Sequence, residues 1–206
     1  LSTWQSRILL RLLGWMCLIP AEAQPVKASH RNSEFLLVPR TVTQIWGKGI
    51  MKLVFVRHGQ KANDDTLDDA KLPLDPTAIK QAQYLSRVLA TRGLTPRFIV
   101  SSLYQHALDT AKLLSGPRTR LVIPVTALTP HTPDPEFTMS TIITEAMEAD
   151  VDLLQDCDVL MLVGHETRLS QLATRFLATS AKLEQLLPLE ALIVDWHGTF
   201  VDRITS

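Results

Sequence analysis

Several features that mark specialised protein classes are missing from this chain. Only 2 cysteines, Cys17 and Cys157, occur among 206 residues, so we expect no disulfide framework and a reducing compartment. The 21 basic and 21 acidic residues balance, and no net charge directs the chain to nucleic acid. The sequence contains no phosphate-binding loop, zinc-ligand spacing or dinucleotide fingerprint, so we expect no cofactor and no metal. The remaining composition, 46% hydrophobic and 20% charged, is that of an ordinary globular domain.

Residues 1–50 form a leader that we separate from the domain at 51–206. Basic residues outnumber acidic ones in this leader, whereas acidic residues outnumber basic ones after it. Its apolar run at 8–19 is interrupted by Arg11 and is too short to span a bilayer, so we expect no membrane partner. The Ala21-Glu22-Ala23 pattern that follows is typical of a signal-peptide cleavage site.

Two interpretations of this leader stay open. One is a signal peptide cleaved after Ala23, which would make the protein exported. The other, which we favour, is a start assigned upstream of the natural initiator Met51. The leader would then be disordered or foreign to the natural protein, and the protein would be cytoplasmic. Under both interpretations the leader stays outside the fold.

Short apolar runs alternate with helical patterns throughout the domain. Asp75-Pro76 predicts a helix N-cap followed by the first helical residue, and His197-Gly198 predicts the turn of a terminal hairpin. Fully apolar strands between helices predict an α/β fold, a three-layer sandwich whose mostly parallel central sheet has helices on both faces. The predicted strands are 52–57, 98–101, 121–125, 159–163, 191–196 and 199–204, and the predicted helices are 76–92, 104–114, 139–154 and 169–178.

Polar residues follow three of the predicted strands. The carboxyl ends of parallel strands meet at one edge of a sheet, where ligands of this fold class bind. Arginine offers a fork of donors, neutral histidine can attack or donate, and loop amides add further donors, so the set suits an anion with three negative oxygens. The three segments are Arg57-His58-Gly59, Ser101-Ser102 and Gly164-His165-Glu166.

Four segments of the chain resemble the histidine phosphatase (phosphoglycerate mutase-like) superfamily. They are VFVRHGQ at 54–60, Pro73-Leu74 with Gln81-Ala82, SSLYQHALDTA at 101–111, and LVGHETRLSQLA at 162–173. The resemblance spans residues 51–204, and within the superfamily the chain is most similar to the small branch that resembles phosphohistidine phosphatases. It implies that His58 is the nucleophile that becomes transiently phosphorylated, that His165 is a second catalytic residue, and that the substrate-binding residues are Arg57, Gly59, Ser102 and His106.

The chain departs from the family pattern at three positions. Ala78 stands where a glycine is usual, Leu103 where a proline is usual, and His106 where most members have an arginine. Two interpretations of His106 stay open: a weaker phosphate donor whose charge depends on pH, or a residue on the helix surface near the rim.

The proton donor for the leaving group is another open point. The family often uses an acidic residue between the third and fourth segments, and here the candidates are Asp134, Glu136 or none. An imidazole leaving group, with an ordinary pKa of about 6.5, needs little protonation compared with an alkoxide. We therefore expect a phosphatase whose partner is a phosphohistidine-bearing protein, or secondly a small phosphomonoester. The alternative is a non-catalytic phosphate- or phosphopeptide-binding domain of the same fold.

Three further groups of residues receive simpler interpretations. Cys157 is expected to be a buried, unreactive thiol beside a strand. Glu166 and Arg168 are expected to face solvent at the start of a helix, although Arg168 is a second candidate for gripping phosphate. A cluster of acidic residues is expected to be a solvated loop rather than a site for a divalent cation, and it comprises Asp64, Asp65, Asp68 and Asp69.

Overall fold

The computed structural model describes residues 52–130, 139–149, 157–177, 183–195 and 199–206. Within these ranges no helix has the length and hydropathy needed to cross a membrane. The described strands are β1 (Lys52–Arg57), β2 (Phe98–Ser102), β3 (Leu121–Val125), β4 (Val159–Gly164), β5 (Ala191–Asp195) and β6 (Phe200–Ile204). The described α-helices are α1 (Pro76–Thr91), α2 (Gln105–Leu114), α3 (Met139–Ala149) and α4 (Glu166–Phe176).

The strands form one sheet in the order β3-β2-β4-β1-β5-β6. Three neighbouring pairs are parallel: β3 with β2, β2 with β4, and β4 with β1. The other two pairs, β1 with β5 and β5 with β6, are antiparallel. The prediction of a mostly parallel sheet that ends in a hairpin is therefore confirmed. The register pairs Arg57 with Gly164 and Ser101 with Val163, so the carboxyl ends of β1, β4 and β2 lie side by side.

Both faces of the sheet are buried, because side chains alternate along each strand. In β1, Leu53 and Phe55 join one apolar cluster, while Val54 and Val56 join the other. Helices α3 and α4 pack on the first face, and helices α1 and α2 pack on the second. This arrangement confirms the predicted three-layer sandwich and explains why the strands read as continuous apolar runs.

Local signals located most element boundaries. Asp75 caps α1 as predicted, with its side chain accepting a 2.7 Å hydrogen bond from the Thr77 amide. Helix α4 begins at Glu166, earlier than predicted, because the chain turns into a helix directly after His165. Several predictions lie outside the described residues: the leader, the loop with Asp134 and Glu136, the last residues of the 139–154 helix, and the His197-Gly198 turn.

Candidate active site

Three histidines converge at the carboxyl ends of the parallel strands. His58 follows β1, His165 follows β4, and His106 lies in the first turn of α2, just after β2. The ring centroid of His58 lies 4.3 Å from that of His106 and 4.7 Å from that of His165. His106 is only 1% exposed. The interpretation of His106 as a helix-surface residue is therefore wrong, because α2 packs its first turn into the site.

His58 is held in a defined tautomer. Its Nδ1 lies 2.8 Å from the Gly59 carbonyl oxygen, which can only accept, so Nδ1 carries the proton and Nε2 carries the lone pair. Burial lowers the pKa of His58 to about 4, against an opposing contribution from the Gly59 hydrogen bond. The nearby charges of His106 and Arg57 lower this pKa further. The ring is therefore neutral at pH 7 and has the form that a nucleophile requires.

His106 is held in the same way. Its Nδ1 donates to the Leu72 carbonyl oxygen over 3.2 Å, so its Nε2 also carries a lone pair when the ring is neutral. Burial is the main cause that lowers the pKa of His106 below its ordinary value, and the hydrogen bond to Leu72 opposes it. Most family members have an arginine at position 106. At neutral pH the His106 ring therefore supplies neither the positive charge nor the N–H donors that an arginine would offer there. A role of His106 as phosphate donor stays a prediction, and it would require the ring to take up a proton on Nε2.

Ser102 contacts His165 rather than lining an open surface. Its hydroxyl lies 3.0 Å from Nε2 of His165 and also accepts a 3.3 Å hydrogen bond from the Tyr104 amide. Ser102 is fully buried, and His165 is 8% exposed. Ser102 is therefore placed to orient His165, and direct contact of Ser102 with substrate stays a prediction.

Gly59 is required by packing. A Cβ at this position would lie 2.9 Å from Leu74 Cδ2, 3.0 Å from Ala78 Cβ and 3.2 Å from Leu189 Cδ1. Its amide donates to the Thr110 hydroxyl over 3.1 Å, so this N–H is already used within the protein. The absence of a Cβ at Gly59 thus allows α1 to approach the loop after β1 closely, and the binding of substrate by Gly59 stays a prediction.

Arg57 is anchored by the segment that precedes β5. Its Nη1 donates to the Leu186 carbonyl oxygen over 2.8 Å, and its own carbonyl accepts from the Leu189 amide. Among the described residues its Nε is buried without a hydrogen-bond partner. Glu166 supports the same segment by accepting from the Leu186 amide over 3.3 Å, so it does not simply face solvent. Arg168 is half-buried on α4.

Sequence reasoning missed three residues around the histidines: Tyr104, Thr110 and Lys61. The Tyr104 ring packs 4.9 Å from His165 and 5.7 Å from His106, between centroids. Thr110 links Gly59 to α2 by donating to the His106 carbonyl over 2.7 Å. Lys61 forms an ion pair with Asp69, and the charges of both act on His106. The positions of Lys61 and Tyr104, close in sequence to His58 and His106, were the available signals.

The other residues of the acidic cluster behave as the sequence suggested. Asp64 accepts from the amide and hydroxyl of Thr66, and Asp68 pairs with Lys71 on the surface. Lys61 lowers the pKa of Asp69 through its hydrogen bond. These carboxylates have separate partners, which favours the solvated-loop interpretation. Cys157 is half-buried, and burial raises its thiol pKa to about 12, as expected of an unreactive cysteine.

The comparison with family models agrees with this geometry. The model described as the histidine phosphatase superfamily (branch 1) matches residues 53–204. The chain belongs to this superfamily. No curated protein sequence matches the chain.

Solved structures share this superfamily fold at low sequence identity. The protein histidine phosphatase SixA in complex with tungstate aligns with a TM-score of 0.59 and 15% identity, over 75% of this chain and 97% of that one. A phosphohistidine phosphatase SixA candidate from Agrobacterium tumefaciens aligns with a TM-score of 0.58 and 14% identity, over 76% and 99%. An α-ribazole-5′-P phosphatase candidate from Escherichia coli str. K-12 substr. MG1655 aligns with a TM-score of 0.52 and 20% identity, over 76% of this chain and 97% of that one.

Proposed function

We propose that this protein is a phosphatase that forms a phosphohistidine intermediate on His58. The observation that carries the proposal is the state of His58: a partly buried, neutral ring whose Nδ1–H is bound to the Gly59 carbonyl and whose Nε2 keeps its lone pair. A nucleophilic histidine needs this tautomer at the pH of the reaction. Membership of the histidine phosphatase superfamily supports the same chemistry.

The proposed reaction has two displacements at phosphorus. The Nε2 lone pair of His58 attacks in line, the bond from phosphorus to the leaving group breaks, and the leaving group departs with that electron pair. Water then attacks the phosphohistidine, the P–N bond breaks, and inorganic phosphate leaves with His58 regenerated. Arg57 has a buried Nε with no described partner, and an equatorial phosphate oxygen would satisfy this donor. His165 is proposed to contact the same phosphoryl group.

We propose protein phosphohistidine as the preferred substrate class and small phosphomonoesters as the second. Asp69 is a described acid whose negative charge acts on both His58 and His106. The hydrogen bond from Lys61 lowers the pKa of Asp69. Such a carboxylate is a poor proton donor at neutral pH, which favours a leaving group that needs little protonation. SixA, a solved structure with the same fold, is named a protein histidine phosphatase.

The proposal is tested on the full chain with a phosphohistidine peptide and with p-nitrophenyl phosphate. His58→Ala is expected to lower turnover by about 10³-fold or more, because the nucleophile is lost while little packing changes. Asp64→Asn, in the exposed loop, is the control and should leave turnover unchanged. Rapid quenching should trap a phosphorylated wild-type protein that is labile to acid. Phosphate or phosphopeptide binding without any turnover in the wild type would instead identify a binding domain.

A further inference from the structure

The three histidines of the site also form a set of metal ligands. His58, His106 and His165 each offer one ring nitrogen, and these nitrogens all lie within 4.8 Å of one another. Within the described ranges this is the one group of three or more histidine, cysteine or acidic side chains with such spacing. The rings are inclined to one another by 58°, 61° and 89°, so none stacks flat on another. From this geometry we propose that the triad binds a divalent transition-metal ion of the zinc class, and that the bound ion blocks phosphoryl transfer.

The surroundings of two of these rings match those of metal-binding histidines. A ligating histidine usually donates its second ring N–H to a carbonyl or carboxylate, which fixes the tautomer and makes the other nitrogen more basic. Nδ1 of His58 is bound to the Gly59 carbonyl, and Nδ1 of His106 is bound to the Leu72 carbonyl. In both rings the nitrogen left for a metal is therefore Nε2.

The third ring is oriented by a side chain rather than by a carbonyl. The Ser102 hydroxyl lies 3.0 Å from Nε2 of His165 and is itself anchored by the Tyr104 amide. The Tyr104 ring stands edge-on to His165 and to His106, at 76° and 82°. This packing restricts both rings, and preorganised ligands lose less side-chain entropy when a metal binds.

The replacement of arginine by histidine at position 106 creates the third ligand. A guanidinium there would place a cation beside His58, whereas neutral His106 places a lone pair there. Three imidazoles suit Zn²⁺, Co²⁺, Ni²⁺ or Cu²⁺, and they suit Mg²⁺ or Ca²⁺ poorly. Nitrogens around tetrahedral zinc are about 3.4 Å apart, so the rings must close by up to about 1.4 Å when the ion enters.

Metal binding and catalysis compete for one atom. The lone pair on Nε2 of His58 can attack phosphorus or ligate a metal, and it cannot do both. The inference thus goes beyond the proposed function and predicts reversible inhibition of it. Ions of the zinc class should inhibit turnover, a chelator should restore it, and Mg²⁺ at the same concentration should have no inhibitory effect.

Binding is measured first, without any substrate. The full chain is stripped of metal with a chelator, kept reduced, and titrated with Co²⁺ in an absorption cell and with Zn²⁺ against a chromophoric chelator. We expect one ion per chain and cobalt bands typical of a four-coordinate site. His106→Gln and His106→Arg should each weaken Zn²⁺ binding by more than about 100-fold, since outer-sphere partners alone are worth 10–100-fold. Because glutamine keeps an N–H donor for the Leu72 carbonyl, we expect the His106→Gln variant to fold. Circular dichroism checks the fold of both variants.

The matched control removes the other three histidines together. The variant His30→Ala/His131→Ala/His197→Ala keeps the triad and should bind Zn²⁺ as the wild type does. The proposal is overturned if the wild type binds no stoichiometric ion, if both His106 variants bind as tightly as the wild type, or if the control loses binding. Because these titrations contain no substrate, metal binding without turnover would contradict only the proposed function, and turnover without metal binding would contradict only this inference.

Discussion

The hydrogen bond from His58 Nδ1 to the Gly59 carbonyl determines where the reactive lone pair of this ring lies. Burial then keeps the ring neutral far below the ordinary histidine range, with a pKa of about 4. The neighbouring His106 is neutral for the same main reason. The site thus gathers nitrogen lone pairs where the family pattern leads one to expect cationic donors. If the proposed function holds, Arg57 and His165 are the residues proposed to contact the phosphoryl group.

The pH dependence of kcat/KM follows from this residue-scale picture. Only neutral His58 can attack, so activity should rise as pH increases through about 4 and then stay level through pH 6–8 as far as this group is concerned. An unperturbed histidine would place the same limb near pH 6.5. The measurement is kcat/KM between pH 3.5 and 8 with a substrate whose own titration is known. An acid limb centred near 6.5 would mean that the His58 ring is solvated in the free enzyme.

At the scale of elements, the close approach of α1 to the loop after β1 depends on Gly59. A methyl group there would meet Ala78 Cβ at 3.0 Å, in the fixed first turn of the helix, as well as two leucine side chains. Gly59→Ala should therefore lower the free energy of unfolding by about 1–3 kcal/mol through overpacking. Gly164→Ala is the matched control, because its nearest neighbour would lie at 3.5 Å, which is ordinary contact. Urea unfolding of both variants is the test, and equal losses would contradict the packing argument.

The segment that anchors Arg57 is itself held by an ion pair with β6. Glu190 is buried, and its carboxylate contacts Arg203 at 2.6 Å and accepts from the Leu187 amide at 2.7 Å. Glu190→Ala should destabilise the fold by about 2–3 kcal/mol, somewhat less than for a fully buried pair because the Arg203 side chain is 26% exposed. Phosphate inhibition should also weaken, since the Leu186 carbonyl and Leu189 amide that hold Arg57 lie in this segment.

A neighbouring pair provides the control for this prediction. Asp202 lies on the same strand β6, and its carboxylate pairs with Arg92 at the surface, where both side chains are about half exposed. Asp202→Ala should therefore cost about 1 kcal/mol or less and leave phosphate inhibition unchanged. If Glu190→Ala and Asp202→Ala had the same effect on both measurements, the segment before β5 would not depend on the buried pair.

At the scale of the whole molecule, the buried histidines make stability depend on pH. The folded-state pKa of His58, about 4, lies below its unfolded value of about 6.5, so protons bind preferentially to the unfolded chain. The contribution of His58 to the free energy of unfolding is fully present above pH 6.5 and is lost as the pH falls toward 4. His106, whose pKa is also lowered, adds to this loss in the same direction. The His58 contribution should be about 1–3 kcal/mol, allowing for its partial exposure.

Unfolding by urea at several pH values between 4.5 and 7.5 tests this linkage. The wild type should lose stability steadily as the pH falls below 6.5, whereas His58→Gln should show a flatter dependence because glutamine does not titrate. The difference between the two curves isolates His58 from the carboxylates. Parallel curves would show that protonation of His58 costs nothing in the folded state.

The sequence by itself determined the layers of this molecule and the place of its site. Runs such as 159–163 contain only apolar side chains, which a strand buried on both faces requires, and Asp75-Pro76 marks a helix start through purely local hydrogen bonding. These signals depend on residues within a few positions of one another. The family motifs around His58 and His165 are also local, and the strand register brings them to one edge as expected.

Only the tertiary structure decided which groups His106, Ser102 and Gly59 contact. The tautomer of His106 depends on the Leu72 carbonyl, 34 positions away in sequence, and its neutral state depends on the burial of the first turn of α2, to which it belongs. The Ser102 hydroxyl turns to His165, 63 positions away, and the Gly59 amide to Thr110, 51 positions away. A side chain in a motif has several possible partners within reach of its rotamers. Which of them it meets is decided by the packing of distant elements, and no local pattern encodes that choice.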